Sequence, residues 1–401
     1  MSIIAAMVIF PIPSCSIAKK ENTIEPGAYQ ILQYHDLLAG KNVGIVANHT
    51  SIIENVHLID TLQKRGIRIR KIFTPEHGFK GKADAGALID DQDTAKSVVP
   101  VVSLYGANIP VVSLYGAKRK PSEADLKDLD IMVFDLQDVG VRFYTYLSTL
   151  HNNMEACAEF EIPLLVLDRP NPNGFYIDGP VLKEKYKSFI GLHQVPVVYG
   201  MTIGEYALMI NGEGWLKDSS QCQLHIIKCK NYSHSAYYNL PVNPSPNLRE
   251  MRAIYLYPSL AFFEGTIVSE GRGTDFPFLV AGHPAYPYKK FSFTPMRKEG
   301  SSLNPKLKDR ICYGIDLQEV NIDSLKQRKE LNLDYLFHMY DALDRRNDFF
   351  IEYFNLLAGT DELQKQILNG MKESDIRKSW TNDLDKFKQI RVKYLLYSDF
   401  E

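Results

Sequence analysis

The sequence predicts an α/β protein, with a parallel β-sheet in its N-terminal part and a smaller α+β region after it. Three observations carry this. Apolar, β-rich runs alternate with segments of helical spacing between residues 40 and 168. The runs are continuously apolar rather than alternating, as expected of strands covered on both faces. A Pro/Asn-rich stretch, "LPVNPSPNLRE" at 240–250, then marks a junction beyond which the pattern changes.

The elements follow in order. "NVGIVA" (42–47) reads as the first strand, and "IIENVHLIDTLQKRG" (52–66) has helical spacing and closes on glycine. "IRIRKIF" (67–73) is the second strand, "VVSLY" the third, "DIMVFD" (130–135) the fourth and "IPLLVLD" (162–168) the fifth. "YTYLSTLHNNMEACAEF" (144–160) forms a helix between the last two. This is a Rossmann-like layout, but no GxGxxG follows the first strand, so a nucleotide is not implied. The third strand is offered twice in tandem, as "VPVVSLYGAN" (99–108) and "IPVVSLYGAK" (109–118). Only one copy can hold the sheet position; the other forms a hairpin partner, an added edge strand or a loop. After residue 168 the periodicity is irregular through "QLHIIKCK", apart from a helix over 202–211 opened by Thr202 with Glu205 at the capping-box position. The tail (333–401) is mainly helical. The expected division is a leader over 1–20, a Rossmann-like catalytic domain over 21–246 and a smaller α+β domain over 247–401.

A chain of 401 residues is long enough for two or three domains with sizeable cores. Its 45% hydrophobic and 23% charged residues are those of a globular protein, and a net charge of −2 gives no electrostatic reason to expect nucleic acid. The 23 tyrosines fit a carbohydrate cleft, but composition alone favours ordinary packing for them. "MSIIAAMVIFPIPSCSIAKK" opens with an apolar run (3–10) too short to span a bilayer, and reads as the end of an export signal. "Ile-Pro-Ser-Cys" ending at Cys15 resembles a lipoprotein cleavage box, which would anchor the chain by a lipid on that cysteine. Cys157, Cys222, Cys229 and Cys312 show no zinc spacing; Cys222 and Cys229 are read either as a pair or as free thiols.

The chemistry is expected where the strands end. The first strand runs into Asn48-His49-Thr50 and the second into Pro75-Glu76-His77-Gly78. The fourth leads to Asp135, Asp138 and Arg142, and the fifth to Asp168, Arg169 and Asn171. In a parallel sheet all these positions share one edge, where ligands bind. Asn48 or Thr50 also reads as a helix cap, His77 as a turn residue, and Asp168 as a partner for Arg169 or loop amides. Glu76 is the strongest candidate, because Pro75 and Gly78 stiffen the turn that presents it. A second region, "FFEGTIVSEGRGTDFPF" (262–278), sets Glu264, Glu270, Arg272 and Asp275 among glycines and reads as a loop closing over the sheet edge.

"NHTS", "FTPEHGFKG", "FDLQDVGVRFYTYLSTL", "LDRPNPNG", "HQVPVVYGMTIGEYA", "PSPNL" and "FEGTIVSEGRGTDFPF" together resemble the NamZ-type exo-β-N-acetylmuramidases, a family long known only as a domain of unknown function. The resemblance covers nearly all the chain after residue 30, with the tandem "PVVSLYGA" as its departure. It implies a periplasmic or secreted glycosidase that releases N-acetylmuramic acid from non-reducing ends of peptidoglycan fragments. It also implies a cleft between a Rossmann-like domain and a smaller C-terminal one; the glycosidase mechanism needs no metal, and no cofactor is expected. Glycoside hydrolysis needs a protonated carboxyl and a second carboxylate. Glu76 is the expected acid, and Asp138, Glu264 and Glu270 are the candidates for its partner. Arg142 or Arg272 would recognise the substrate's lactyl carboxylate, and Tyr144 and His77 its hydroxyls. Two alternatives stand beside this: a metal-dependent hydrolase using Asp135, Asp138, His49 and His77, and a carbohydrate-binding lipoprotein without turnover.

Overall fold

The computed structural model describes residues 23–81, 101–102, 108–345 and 347–401. The expected leader and Cys15 lie outside these residues.

Six strands form one sheet: β1 (Asn42–Ala47), β2 (Arg68–Thr74), β3 (Val111–Ser113), β4 (Ile131–Asp135), β5 (Leu164–Leu167) and β6 (Leu224–Ile227). Every pairing is parallel, in the spatial order β6-β5-β4-β1-β2-β3. Read from the other edge this is the doubly wound order, which reverses between β1 and β4. The side chains of β4 divide by period two: Ile131 and Val133 join one hydrophobic layer, Met132 and Phe134 the other. Helix α1 (Leu58–Lys64) covers the first layer with Leu58, Ile59 and Leu62. Helices α2 (Tyr146–Glu159) and α3 (Ile203–Gly212) cover the second with Leu147, Leu150, Tyr206 and Ile210. Each buried side chain of this size contributes about 1.5–3 kcal/mol.

The second layer continues into the C-terminal lobe without a break. Leu256 of α4 (Met251–Leu260), Phe262, Phe354 and Trp380 belong to the same core. That lobe adds an antiparallel sheet in the order β7-β9-β8 (Val280–His283, Cys312–Asp316, Ser292–Phe293). Helices α5 (Asp334–Ala342), α6 (Tyr353–Ala358), α7 (Glu362–Leu368) and α8 (Glu373–Arg391) complete it. The chain end then returns to the first lobe, where Arg391 donates to Gly200 O at 2.7 Å and Leu396 N to Glu205 Oε1 at 2.7 Å.

The second tandem copy holds the sheet position, with Ile72–Thr74 paired to Val111–Ser113. Val101–Val102 of the first copy pairs antiparallel with Asn108–Ile109 instead. The helix expected over 52–66 begins only at Leu58, because Glu54 takes a left-handed turn and Ile52–Ile53 pairs back on Val56–His57. "LHII", read as irregular, is the sixth strand. The Thr202 capping box forms as expected. Cys157, Cys222, Cys229 and Cys312 are all buried free thiols, so Cys222 and Cys229 do not pair.

Candidate active site

At the end of β2 the chain turns through Pro75–Gly78, with Gly78 N donating to Pro75 O at 3.0 Å. His77 and Gly78 both adopt positive φ, 69° and 68°. This sharp turn carries Glu76 out over the sheet edge, half-buried, where its Oε2 accepts from Thr145 Oγ1 at 2.8 Å. Thr145 stands at the start of α2 and so ties the Glu76 turn to the loop after β4.

The opposite wall comes from the C-terminal lobe. Pro258 removes one N–H from the ladder of α4, and the chain tightens into a 3-10 turn at Ala261–Gly265 that presents Glu264. The loop that follows bends at Gly271 and Gly273, whose φ angles of 84° and 81° leave Glu270 and Arg272 pointing back at Glu264. Arg272 Nη2 lies 2.9 Å from Glu264 Oε1, its Nε 3.6 Å from Glu270 Oε1, and its guanidinium 5.0 Å over the Phe278 ring. Lys306 Nζ, 3.6 Å from Glu270 Oε2, also donates to Phe263 O and Val268 O.

Between the walls lies a cavity of about 480 Å³ lined by Glu76, Thr145, Tyr257, Glu264, Glu270 and Arg272, among others. A smaller recess beside it adds His77, Tyr144 and Asn247. Burial pushes the Glu264 carboxyl above its ordinary range; Arg272 pulls it down and Glu270 pushes it up again. Burial would lower the Arg272 guanidinium, but Glu264 and Glu270 hold it above its usual value, so it stays charged. A larger groove of about 700 Å³ lies along α8, but its acids Glu184, Glu213 and Asp383 are paired with Lys187, Lys393 and Lys183.

Glu76, His77, Tyr144, Glu264, Glu270 and Arg272 are thus brought together. The remaining expected residues have other work. At the β1/β4 switch point, Asn48 is fully buried, accepting from Thr50 N at 2.9 Å and donating to Tyr146 OH at 2.7 Å. His49 Nε2 lies 2.8 Å from Asn243 O. Asp168 accepts from Gly204 N at 2.8 Å, capping α3, and from Thr202 and Tyr397 hydroxyls. Asn171 bonds Asn173 N and Met201 O, and packs so close to Gly140 that a Cβ there would lie 2.2 Å from its Oδ1. Arg142 is buried among carbonyls, donating to Pro180 O, Val195 O and Leu357 O, so it staples the lobes instead of facing the cavity. Asp275 is exposed and pairs with Arg249 and Lys298 on the surface. Asp135 is taken up by Arg169, at 2.6 and 2.9 Å. Among the described residues no three His, Cys, Asp or Glu side chains are grouped to hold a metal ion. Nor is any described helix long and apolar enough to cross a membrane.

Asp138 also lies outside the cavity, buried beneath Tyr199 OH and Gly140 N, which both donate to its Oδ2. Burial pushes its carboxyl up to about 6, with the Tyr199 and backbone hydrogen bonds pulling the other way. A carboxyl raised on folding stabilises the protein below its unfolded value, and that stability is lost as pH rises through about 6. Between pH 4.5 and 7.5 this amounts to about 2 kcal/mol. Asp138→Asn is therefore expected to flatten the pH dependence of urea unfolding by that amount; an unchanged difference between the two pH values would refute it.

Sequence reading missed Thr145, Tyr257, Lys306 and Arg119 as cavity residues. Tyr257 sits in an apolar helix that reads as core, and Lys306 in a loop with no distinguishing pattern.

Comparison with known proteins finds relatives over nearly the whole chain. The family model described as exo-beta-N-acetylmuramidase NamZ, N-terminal, matches residues 43–108 and 106–252, two pieces that meet within the tandem repeat. Its C-terminal counterpart matches 255–397. The peptidoglycan beta-N-acetylmuramidase NamZ of Bacillus subtilis is 34% identical, covering 94% of this chain and 92% of that protein. Crystal structures of two DUF1343 family proteins from Bacteroides fragilis superpose with TM-scores of 0.84 and 0.75, at 43% and 26% identity. Each covers 94% of this chain and 99% of its own. The chain belongs to the exo-β-N-acetylmuramidase NamZ family.

Proposed function

We propose that this protein is an exo-acting glycoside hydrolase that releases N-acetylmuramic acid from non-reducing ends of peptidoglycan fragments. The observation that carries the chemistry is the convergence of Glu76, Glu264 and Glu270 on one cavity, under two different conditions. Glu76 is held by a hydroxyl and by no cation among the described residues, so it can pass a proton without breaking an ion pair. Glu264 and Glu270 are tied to Arg272 and Lys306 on the facing wall.

On this reading Glu76 gives its proton to the glycosidic oxygen as the bond from C1 to that oxygen breaks. Glu264 serves as the second carboxylate: its side chain is 19% exposed to the cavity, against 3% for Glu270. Its raised proton affinity makes it a better base toward the attacking nucleophile. Glu270, deeper, fixes Arg272 and through it Glu264. The substrate class implies action outside the cytoplasm, for cell-wall turnover, and the apolar run before Cys15 supports export with a lipid anchor.

The test is chromophore release from a β-N-acetylmuramoyl conjugate and from its β-N-acetylglucosaminyl twin, with and without chelator, beside a muramoyl-terminated disaccharide. Selective, chelator-insensitive cleavage of the muramoyl substrates is expected. Loss of activity in chelator, or no cleavage of either muramoyl substrate by folded protein, would overturn the reading.

A further inference from the structure

Three cationic side chains line the cavity: Arg272, Lys306 and Arg119. The first two are committed to Glu264, Glu270 and backbone carbonyls. Together with those two acids they leave that wall with no net charge, and with no cation to spare for an anionic ligand.

Arg119 is different. It follows the second tandem copy, whose Leu114 N is bonded to Thr74 O at 2.8 Å, so β2 places both Glu76 and the Arg119 loop. Asn152 on α2 holds its backbone carbonyl at 3.0 Å. The guanidinium lies 4.2 Å over the ring of Phe189, and its Nε donates to Gly116 O at 3.3 Å. Phe189 is itself fixed by Ser148 Oγ, which donates to its carbonyl at 2.6 Å. Among the described residues Arg119 has no carboxylate partner. A guanidinium held over an aromatic face has its fork oriented by the ring, with its terminal N–H groups left for bidentate contact with a carboxylate.

We propose that Arg119, on its Phe189 platform, reads the 3-O-lactyl carboxylate of the muramic acid residue and so sets selectivity against N-acetylglucosamine, which lacks that group. This rests on the muramidase reading for the identity of the substrate. It takes that role in place of Arg142, which is bonded to carbonyls outside the cavity, and of Arg272, which is paired with Glu264 and Glu270.

The test measures binding of free N-acetylmuramic acid and free N-acetylglucosamine by calorimetry, in wild type, Arg119→Gln and Phe189→Leu. Arg119 is exposed on the rim, so its truncation leaves the core intact; melting temperatures check this. Wild type is expected to prefer the muramic sugar, Arg119→Gln to lose about 10- to 100-fold of that preference, and Phe189→Leu to lose a smaller part. A wild-type ratio in Arg119→Gln, or no preference in wild type, would overturn the proposal. Turnover of the two conjugates by wild type reports separately on hydrolysis: selective binding without turnover would sink the glycosidase reading and leave the role of Arg119 standing.

Discussion

Glu76→Gln is expected to lower kcat on a muramoyl-terminated disaccharide by about 10³- to 10⁴-fold while leaving the melting temperature within about 2 °C of wild type. The amide keeps the shape of the carboxyl, and its oxygen still accepts from Thr145 Oγ1, so the turn after β2 has no reason to move. No ion pair among the described residues is broken. What disappears is the proton that the departing sugar oxygen must receive. The size of the loss should depend on that leaving group. A nitrophenolate leaves without protonation, so the same variant should lose far less on the activated aryl conjugate than on the disaccharide. Binding of free N-acetylmuramic acid should persist. A variant that cleaves the disaccharide at the wild-type rate, or loses both substrates equally together with its melting temperature, would remove Glu76 from the role of acid.

That Glu76 stands out where Asp168 and Asp138 do not could be only partly read in the sequence. All three follow parallel strands and lie near the same sheet edge, as continuous apolar runs such as "NVGIVA" and "DIMVFD" foretell. Whether a carboxylate there meets ligand or protein depends on what crosses above it. Asp168 meets the first turn of α3 and the hydroxyl of Tyr397, brought back from 229 residues away. Asp138 meets Tyr199. Among the described residues Glu76 meets one hydroxyl and faces the cavity. These are long-range contacts, and local patterning carries no record of them. The arginines follow the same logic. Arg142 and Arg272 sit in the most motif-like stretches, yet one is used by three carbonyls and the other by two carboxylates. Arg119 directly follows the tandem repeat, in a stretch with no chemical motif of its own. The sixth strand was missed because "LHII" is a half-buried edge element, short of the continuous apolar signal its neighbours give.

Arg169→Leu is expected to cost about 3–5 kcal/mol of stability, the largest loss of any substitution considered, without touching the cavity. Arg169 is 3% exposed and Asp135 is fully buried, and the two meet through Nε and Nη2 at 2.6 and 2.9 Å. Burial alone would lower the guanidinium; Asp135 more than offsets it, so the arginine stays protonated and the pair is a true ion pair. Deleting the cation leaves a carboxylate at the end of the central strands with no counter-charge and no route to water. The cost is that of the stranded charge rather than of the lost contact. Asp135→Leu combined with Arg169→Leu should therefore recover much of the stability, because no charge then remains to be solvated. Urea unfolding of the two single variants and the double variant supplies the cycle. If Asp135 were instead a ligand in a metal-dependent site, freeing it from Arg169 would cost little and would raise affinity for divalent ions. A loss below about 1 kcal/mol in Arg169→Leu, with tighter zinc or manganese binding, would favour that alternative; a large loss rescued by the second substitution fixes the pair as a buried structural clamp between two strand ends.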